Sequence, residues 1–362
     1  MKKIRVLIID DSALVRRVLT EILSSDSSIE VVGSAMDPYI AREKIKQLKP
    51  DVLTLDVEMP KMDGISFLRN LMRLHPLPVI MISSLTEKGA DITLKAMELG
   101  AVDFVSKPKM DVDHELEEYS SEIIAKIKAA ALARIRPGIT RKEEEIETEL
   151  ALDIEKRYST TVILKKSETR KSFGTTEKII AIGASTGGTE AIKEILMQMR
   201  PDSPGTLVVQ HIPVTFSSAF AKRMDSVSPM VVREVEDGQL IVPGHVYIAP
   251  GNKHLLLERE AGRYRCKLND GPPVNRHKPS VDVMFRSVAQ NAGTNAIGII
   301  LTGMGADGSR GLKEMRDAGA ATIAQDEKSS VVWGMPGEAV KLGAAEHVLS
   351  VNNIAAKIET LL

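Results

Sequence analysis

The chain has 362 residues, 43% hydrophobic and 27% charged, with a formal net charge of −1. That length exceeds one ordinary core and implies two domains, and the balanced charge leaves no basic footprint for nucleic acid or an anionic membrane surface. With no run of about 18 uninterrupted apolar residues, no membrane insertion is expected.

The first apolar run, residues 6–9, ends at Asp10 and Asp11, too early and too charged for an export segment. A cytoplasmic location is therefore expected. Further β-type runs stand at 31–32, 52–55, 79–82 and 104–105. They alternate with helically spaced apolar residues such as Leu14, Val18 and Ile22, and Ile65, Leu68 and Met72. Strands alternating with helices need crossover connections and give a parallel sheet. The spacing predicts a doubly wound (βα)5 domain over residues 1–133. Its last helix should start near Asp113, carry Leu116, Ile123, Ile124 and Ile127, and stop at Arg136-Pro137-Gly138.

Ligand sites of an open parallel sheet lie beyond the C-terminal strand ends, and five chemically pointed residues stand there. Asp10 and Asp11 follow the first strand, Asp56 the third, Ser83 the fourth and Lys107 the fifth. Three clustered acids repel unless a cation neutralises them, and carboxylate oxygens suit Mg²⁺. The set fits phosphoryl transfer onto Asp56, with Asp10, Asp11 and Asp56 holding the metal, and Ser83 and Lys107 supporting the phosphoryl oxygens. Asp56-Val-Glu-Met-Pro-Lys-Met-Asp-Gly64, Asp10-Asp11 and Lys107-Pro108 resemble the signatures of response-regulator receiver domains. A receiver is a bistable element biased by a phosphoryl group, so the output chemistry must lie downstream.

Residues 134–177 read as a charged interdomain linker, with blocks at 141–145 and 165–171. Ile146, Leu150 and Ile154 recur at helical spacing, so a short docked or transient helix and plain disorder both fit.

Alternation resumes at Lys178 and defines a second α/β domain over 178–362 with a mostly parallel sheet. Strands are expected at 179–183, 207–210, 296–301, 322–324 and 347–349, and helices over 189–199, 218–224, 281–289 and 309–317, with another at the C-terminus. Short strands and Pro-Gly turns between 231 and 268 suggest an antiparallel insertion. Cys266 lies there and reads as an inert thiol.

Gly183, Ser185 and Gly187 satisfy G-x-S-x-G between a strand and a helix, the nucleophile-elbow context. The Thr186 backbone N–H at the helix start is the natural oxyanion donor. A nucleotide phosphate loop is the rival, although serine replaces its second glycine and no Walker lysine follows. Of the five histidines in this domain, His211 directly follows the strand next in order to the serine's. His277, in Gly271-Pro-Pro-Val-Asn-Arg-His277, competes for the role of base. Asp307, in Thr302-Gly-Met-Gly-Ala-Asp307-Gly308, could orient the imidazole or cap the following helix. The first role completes a triad of Ser185 nucleophile, His211 base and Asp307.

Ile182-Gly-Ala-Ser185-Thr-Gly-Gly-Thr189, Gln210-His211-Ile-Pro213, Gly271-Pro-Pro273 and Leu301-Thr-Gly-Met-Gly-Ala-Asp307-Gly308 resemble the chemotaxis protein-glutamate methylesterases, the CheB family. The resemblance implies phosphorylation-activated cleavage of glutamate γ-methyl esters on methyl-accepting chemoreceptors. It also implies deamidation of certain receptor glutamines and a chemotaxis histidine kinase as phosphodonor. Mg²⁺ would serve receiver phosphorylation, with no cofactor for hydrolysis. Met304 would lie beside the site, loop 274–281 would line the cleft, and Arg276 would meet acidic receptor helices. A receiver-linked non-enzymatic regulator and a nucleotide-binding α/β module remain the alternatives.

Overall fold

The computed structural model describes residues 2–59, 62–83, 86–107, 113–134, 159–165 and 177–362. The first domain runs β1 (Ile4–Ile9), α1 (Ala13–Ser24), β2 (Ile29–Ala35), α2 (Pro38–Leu48), β3 (Val52–Asp56), α3 (Gly64–Leu74), β4 (Val79–Ser83), α4 (Glu87–Glu98), β5 (Asp103–Ser106) and α5 (Asp113–Leu132). Its sheet is wholly parallel in the order β2-β1-β3-β4-β5. The central strands are buried on both faces, which is why they read as unbroken apolar runs. Side-chain caps start the helices: Ser12, Asp37 and Asp63 each accept a backbone N–H from the first turn that follows.

The second domain comprises β6 (Ile179–Ala184), α6 (Gly188–Leu196), β7 (Gly205–Gln210), α7 (Val214–Val227), β8 (Val231–Glu234), β9 (His245–Ile248), β10 (His254–Glu260), β11 (Arg263–Asn269), α8 (Val281–Asn291), β12 (Ala296–Ile300), α9 (Ser309–Asp317), β13 (Ala321–Gln325), α10 (Met335–Lys341), β14 (His347–Leu349) and α11 (Val351–Leu361). Seven strands form a parallel sheet in the order β14-β13-β12-β6-β7-β9-β8. The expected antiparallel insertion is therefore smaller than the sequence suggests. β8 and β9 extend the parallel sheet, and β10–β11 alone form an antiparallel hairpin. Short strands next to Pro-Gly turns look alike from sequence in either arrangement, because pairing direction is set by partners far along the chain.

The predicted stop at Arg136–Gly138 and the helical spacing of Ile146, Leu150 and Ile154 lie outside the described residues. Residues 159–165 dock on the second domain. Ile163 and Leu164 pack with Leu256, Val274 and Val283, and Arg286 donates to Leu164 O at 3.1 Å. Among the described residues, no helix is long and apolar enough to cross a membrane.

The two domains share a continuous apolar cluster that includes Phe104 and Phe216, whose rings lie 4.6 Å apart. Around it, Glu98 on α4 pairs with Lys193 and Arg223, Arg134 pairs with Glu327 at 2.6 Å, and the Thr186 hydroxyl donates to Asp103 Oδ2 at 2.6 Å.

Candidate active site

Both sheets place their chemistry at a switch point of strand order, where neighbouring connections leave in opposite directions and open a crevice. In the second domain the switch lies between β6 and β12. Ser185 follows β6, and His211 follows β7, whose Gln210 is the register partner of Ala184. The His211 N–H donates to Ala184 O at 3.1 Å, and the Gln210 side-chain amide donates to Ser185 O at 2.9 Å. Serine and histidine are thus neighbours by strand pairing.

The turn after Ser185 needs its glycines. Gly187 has φ +76°, and a Cβ there would lie 2.6 Å from Val331. The turn after β12 presses on the serine from the other side: a Cβ on Gly303 would stand 2.8 Å from Ser185 Cβ. Half-buried Met304 follows in this turn.

Asp307 is buried and receives donors from three directions. His211 Nε2 lies 2.9 Å from its Oδ2, Asn275 Nδ2 donates at 3.0 Å, and Ser280 Oγ donates at 2.8 Å. The backbone N–H groups of Val281 and Asp282, at the start of α8, add bonds of 2.7 and 3.3 Å. Asp307 therefore caps α8 rather than α9, whose N-cap is Gly308. Burial alone would raise its pKa, but the hydrogen bond from His211 outweighs that, with Asn275 adding, and holds it below the usual carboxylate range. The neighbouring Asp282 takes the opposite course. Burial first, then the Asp307 charge, push it up to about 7, while Gly311 N and Asn275 Nδ2 donate to it.

An ionised carboxylate accepts only, so His211 Nε2 carries a proton, which in the neutral ring leaves Nδ1 as the acceptor. Nδ1 is buried and makes no hydrogen bond, so Ser185 and His211 are adjacent without being bonded. Apo sites often show such loose pairs. His277, the competing base, instead stacks on His211 with ring centroids 3.8 Å apart and an 11° tilt. Burial pushes its pKa down to about 3. Exposed Arg276 stands in the same loop at φ +70°.

In the first domain the switch lies between β1 and β3, and the predicted acids converge there. Carboxylate oxygens of Asp10, Asp11 and Asp56 lie within 4.8 Å of one another. Lys107 Nζ donates to Asp56 Oδ2 at 2.7 Å and stands 4.0 Å from Asp10 Oδ2. Asp10 Oδ2 is buried without a hydrogen-bond partner, the condition a hard cation would relieve. Burial pushes the Asp56 pKa up to about 6 against the pull of Lys107, with Asp10 adding to the rise. Buried Ser83 donates to Gly89 O at 3.3 Å at the edge of the pocket.

Asp282 and Asp103 escaped sequence reasoning, as did the contacts of Asn275 and Ser280, which lie in the loop 274–281 expected to line the cleft. Each lies 25 or more residues from the group it serves. Ser280 just before an apolar helix is a cap signal, but nothing local says that the helix points at Asp307.

Fold and site together define a receiver joined to an α/β hydrolytic domain. Comparison with known proteins agrees over the full length. The family model for CheB methylesterase matches residues 180–358, and that for the response regulator receiver domain matches 6–116. Across 374 aligned residues the chain is 58% identical to a protein-glutamate methylesterase/protein-glutamine glutaminase of Hydrogenovibrio crunogenus, covering 100% of both. A Geobacter metallireducens protein of the same description is 54% identical, over 98% of this chain and 95% of the relative. The crystal structure of the Thermotoga maritima CheB methylesterase catalytic domain is 37% identical with a TM-score of 0.51, covering 52% of this chain and 100% of that one. The chain belongs to the CheB methylesterase family and carries that family's receiver domain. This sets aside the nucleotide-binding and non-enzymatic alternatives.

Proposed function

We propose that this protein removes γ-methyl groups from glutamates on the cytoplasmic helices of methyl-accepting chemoreceptors, and deamidates certain receptor glutamines, under control of Asp56 phosphorylation by a chemotaxis histidine kinase. The buried His211–Asp307 pair beside the Ser185 elbow carries the reading. Ser185 Oγ attacks the ester carbonyl as its proton passes to His211 Nδ1, and the developing oxyanion is met by the Thr186 N–H. His211 returns the proton to the departing methoxide, releasing methanol. Water, deprotonated by the same nitrogen, then cleaves the glutamyl-serine ester and regenerates Ser185. The serine-protease template differs, since there the acid holds Nδ1 and Nε2 acts as base. Asp307, through Nε2, keeps the imidazole in the tautomer that leaves Nδ1 free. Met304 shapes the oxyanion side, and Arg276 contacts acidic receptor helices.

The domain division that fits this reading is a receiver over 1–133, a connecting segment over 134–177 and the hydrolase over 178–362, with the chain acting in the cytoplasm. Asp10, Asp11 and Asp56 would hold Mg²⁺, which when bound supplies charge neutralisation for the incoming phosphoryl group. Lys107 and Ser83 line the same pocket. Gating follows β5: Lys107 grips Asp56 at one end and Asp103 holds Thr186 at the other, roughly 13 Å away along the strand. Phosphorylation would draw Lys107 toward the phosphoryl oxygens and loosen the strand's hold on the elbow.

The test is methanol release from methylated receptor. Wild type should be active and stimulated by a small-molecule phosphodonor, Ser185→Ala inactive, and Asp56→Asn active but unstimulated. Equal release by wild type and Ser185→Ala would end the hydrolase reading.

A further inference from the structure

His254 opens β10 and is fully buried. Its ring makes two hydrogen bonds of opposite sense. Pro272 O can only accept, so Nε2 is protonated and donates to it at 3.0 Å. Ser280 N–H can only donate, so Nδ1 is bare and accepts it at 3.2 Å. The pair fixes one neutral tautomer, and burial lowers the pKa in keeping with a neutral ring. Asp307 and Lys278 are the charged groups that face it.

The two partners bracket the loop that bears Asn275 and His277. At its far end Ser280 gives its hydroxyl to Asp307, as does the N–H of the next residue, Val281. Inside the loop, Asn275 and Arg276 hold left-handed backbone conformations at φ +52° and +70°, in a tight turn closed by reciprocal backbone bonds between Val274 and His277. On the loop's outer side, Ile163 of the docked connecting segment packs where Gly271 leaves room, since a Cβ there would lie 2.2 Å from Ile163 Cδ1.

We propose that His254 is a positioning residue for the hydrolase: its neutral imidazole clamps both ends of loop 272–280 and thereby holds Asn275, Ser280 and the start of α8 on Asp307, and His277 against His211. The inference rests on the hydrolase reading of Ser185. It predicts an asymmetry, because Ser280 touches Asp307 directly and Pro272 does not.

In the full-length protein, His254→Phe keeps the ring's bulk and removes both hydrogen bonds. The kcat per folded molecule should fall at least about tenfold with KM little changed, since small misplacements of reacting groups are that costly. Amide exchange at Ser280 should accelerate. His254→Asn retains an acceptor near the Nδ1 position and should recover most of kcat, whereas His254→Gln retains a donor near the Nε2 position and should recover less. Wild-type kcat in His254→Phe, or equal losses in the Phe, Asn and Gln variants, overturns the proposal. Should His254→Phe fail to fold, Asn against Gln decides in the same way. If wild type and Ser185→Ala release methanol equally, the hydrolase reading has failed instead. The clamp is then judged by Ser280 exchange, where a wild-type rate in His254→Phe refutes it.

Discussion

The protein contains two clusters of aspartates, one of them with exposed Asp11 at its edge, and they have opposite electrostatic solutions. In the receiver, Asp10, Asp11 and Asp56 share few donors. Lys107 serves Asp56, one Asp10 oxygen has no hydrogen-bond partner, and the Asp56 pKa is pushed up to about 6. In the hydrolase, Asp307 receives donors from His211, Asn275, Ser280 and two helix-start amides. It stays ionised, leaving its neighbour Asp282 to take the rise. Acid content is similar, and hydrogen-bond supply differs. The under-supplied cluster keeps an unbonded carboxylate oxygen and a raised pKa, while the over-supplied one holds a negative charge against an imidazole.

This contrast breaks most sharply at Asp307. Asp307→Asn should cut kcat for methyl-ester hydrolysis by roughly 10³–10⁴-fold, the scale of the corresponding change in serine proteases. Asp282→Asn, which removes a carboxyl whose pKa burial and the Asp307 charge have raised, should cost far less. Similar losses in the two variants would mean that the division of charge between them is wrong.

A second test falls on the bridge between the clusters. Asp103→Ala removes the bond to Thr186, and a hydrogen bond to a charged group contributes about 1.5–3 kcal/mol. Basal hydrolysis by unphosphorylated protein should therefore rise about tenfold or more, with a smaller stimulation by phosphodonor. No change in the ratio of stimulated to basal rate would remove this contact from the gate.

The under-supplied cluster predicts metal dependence. Asp10→Asn should weaken Mg²⁺ binding, followed by titration calorimetry, by about tenfold or more, since one of three anionic ligands is lost. The smallest effect is on stability. The folded-state pKa of Asp56 lies above its ordinary 3.8, so without cation the folded state holds the proton more tightly than the unfolded chain. This contribution is complete below about pH 4 and is lost as pH rises through about 6. Mg²⁺ at pH 7–8 should raise the thermal midpoint by a few degrees, and Asp56→Asn should abolish both the decline and the rescue.

Much of this was legible in the chain. Receiver strands 6–9, 52–55 and 79–82 announce themselves because a parallel strand buried on both faces must be apolar throughout. Asp10, Asp56 and Lys107 could be placed together because strand ends in such a sheet share one edge. Ser185 and His211 followed from the same rule. The parallel pairing of β8 and β9 was not legible, because β8 pairs only with β9, which in turn joins β7 about 40 residues upstream.

By itself the sequence determined which side chains stand at strand ends, since periodicity and turn chemistry are local properties. Tertiary structure alone decided what those side chains meet. It stacked His277 on His211 and turned Asp307 toward α8 rather than α9. It also set Thr186 against Asp103, and closed a loop around His254. Each of these contacts joins segments tens of residues apart, and hydrogen bonds of that kind are fixed by how sheets and helices pack, which no single stretch of chain encodes.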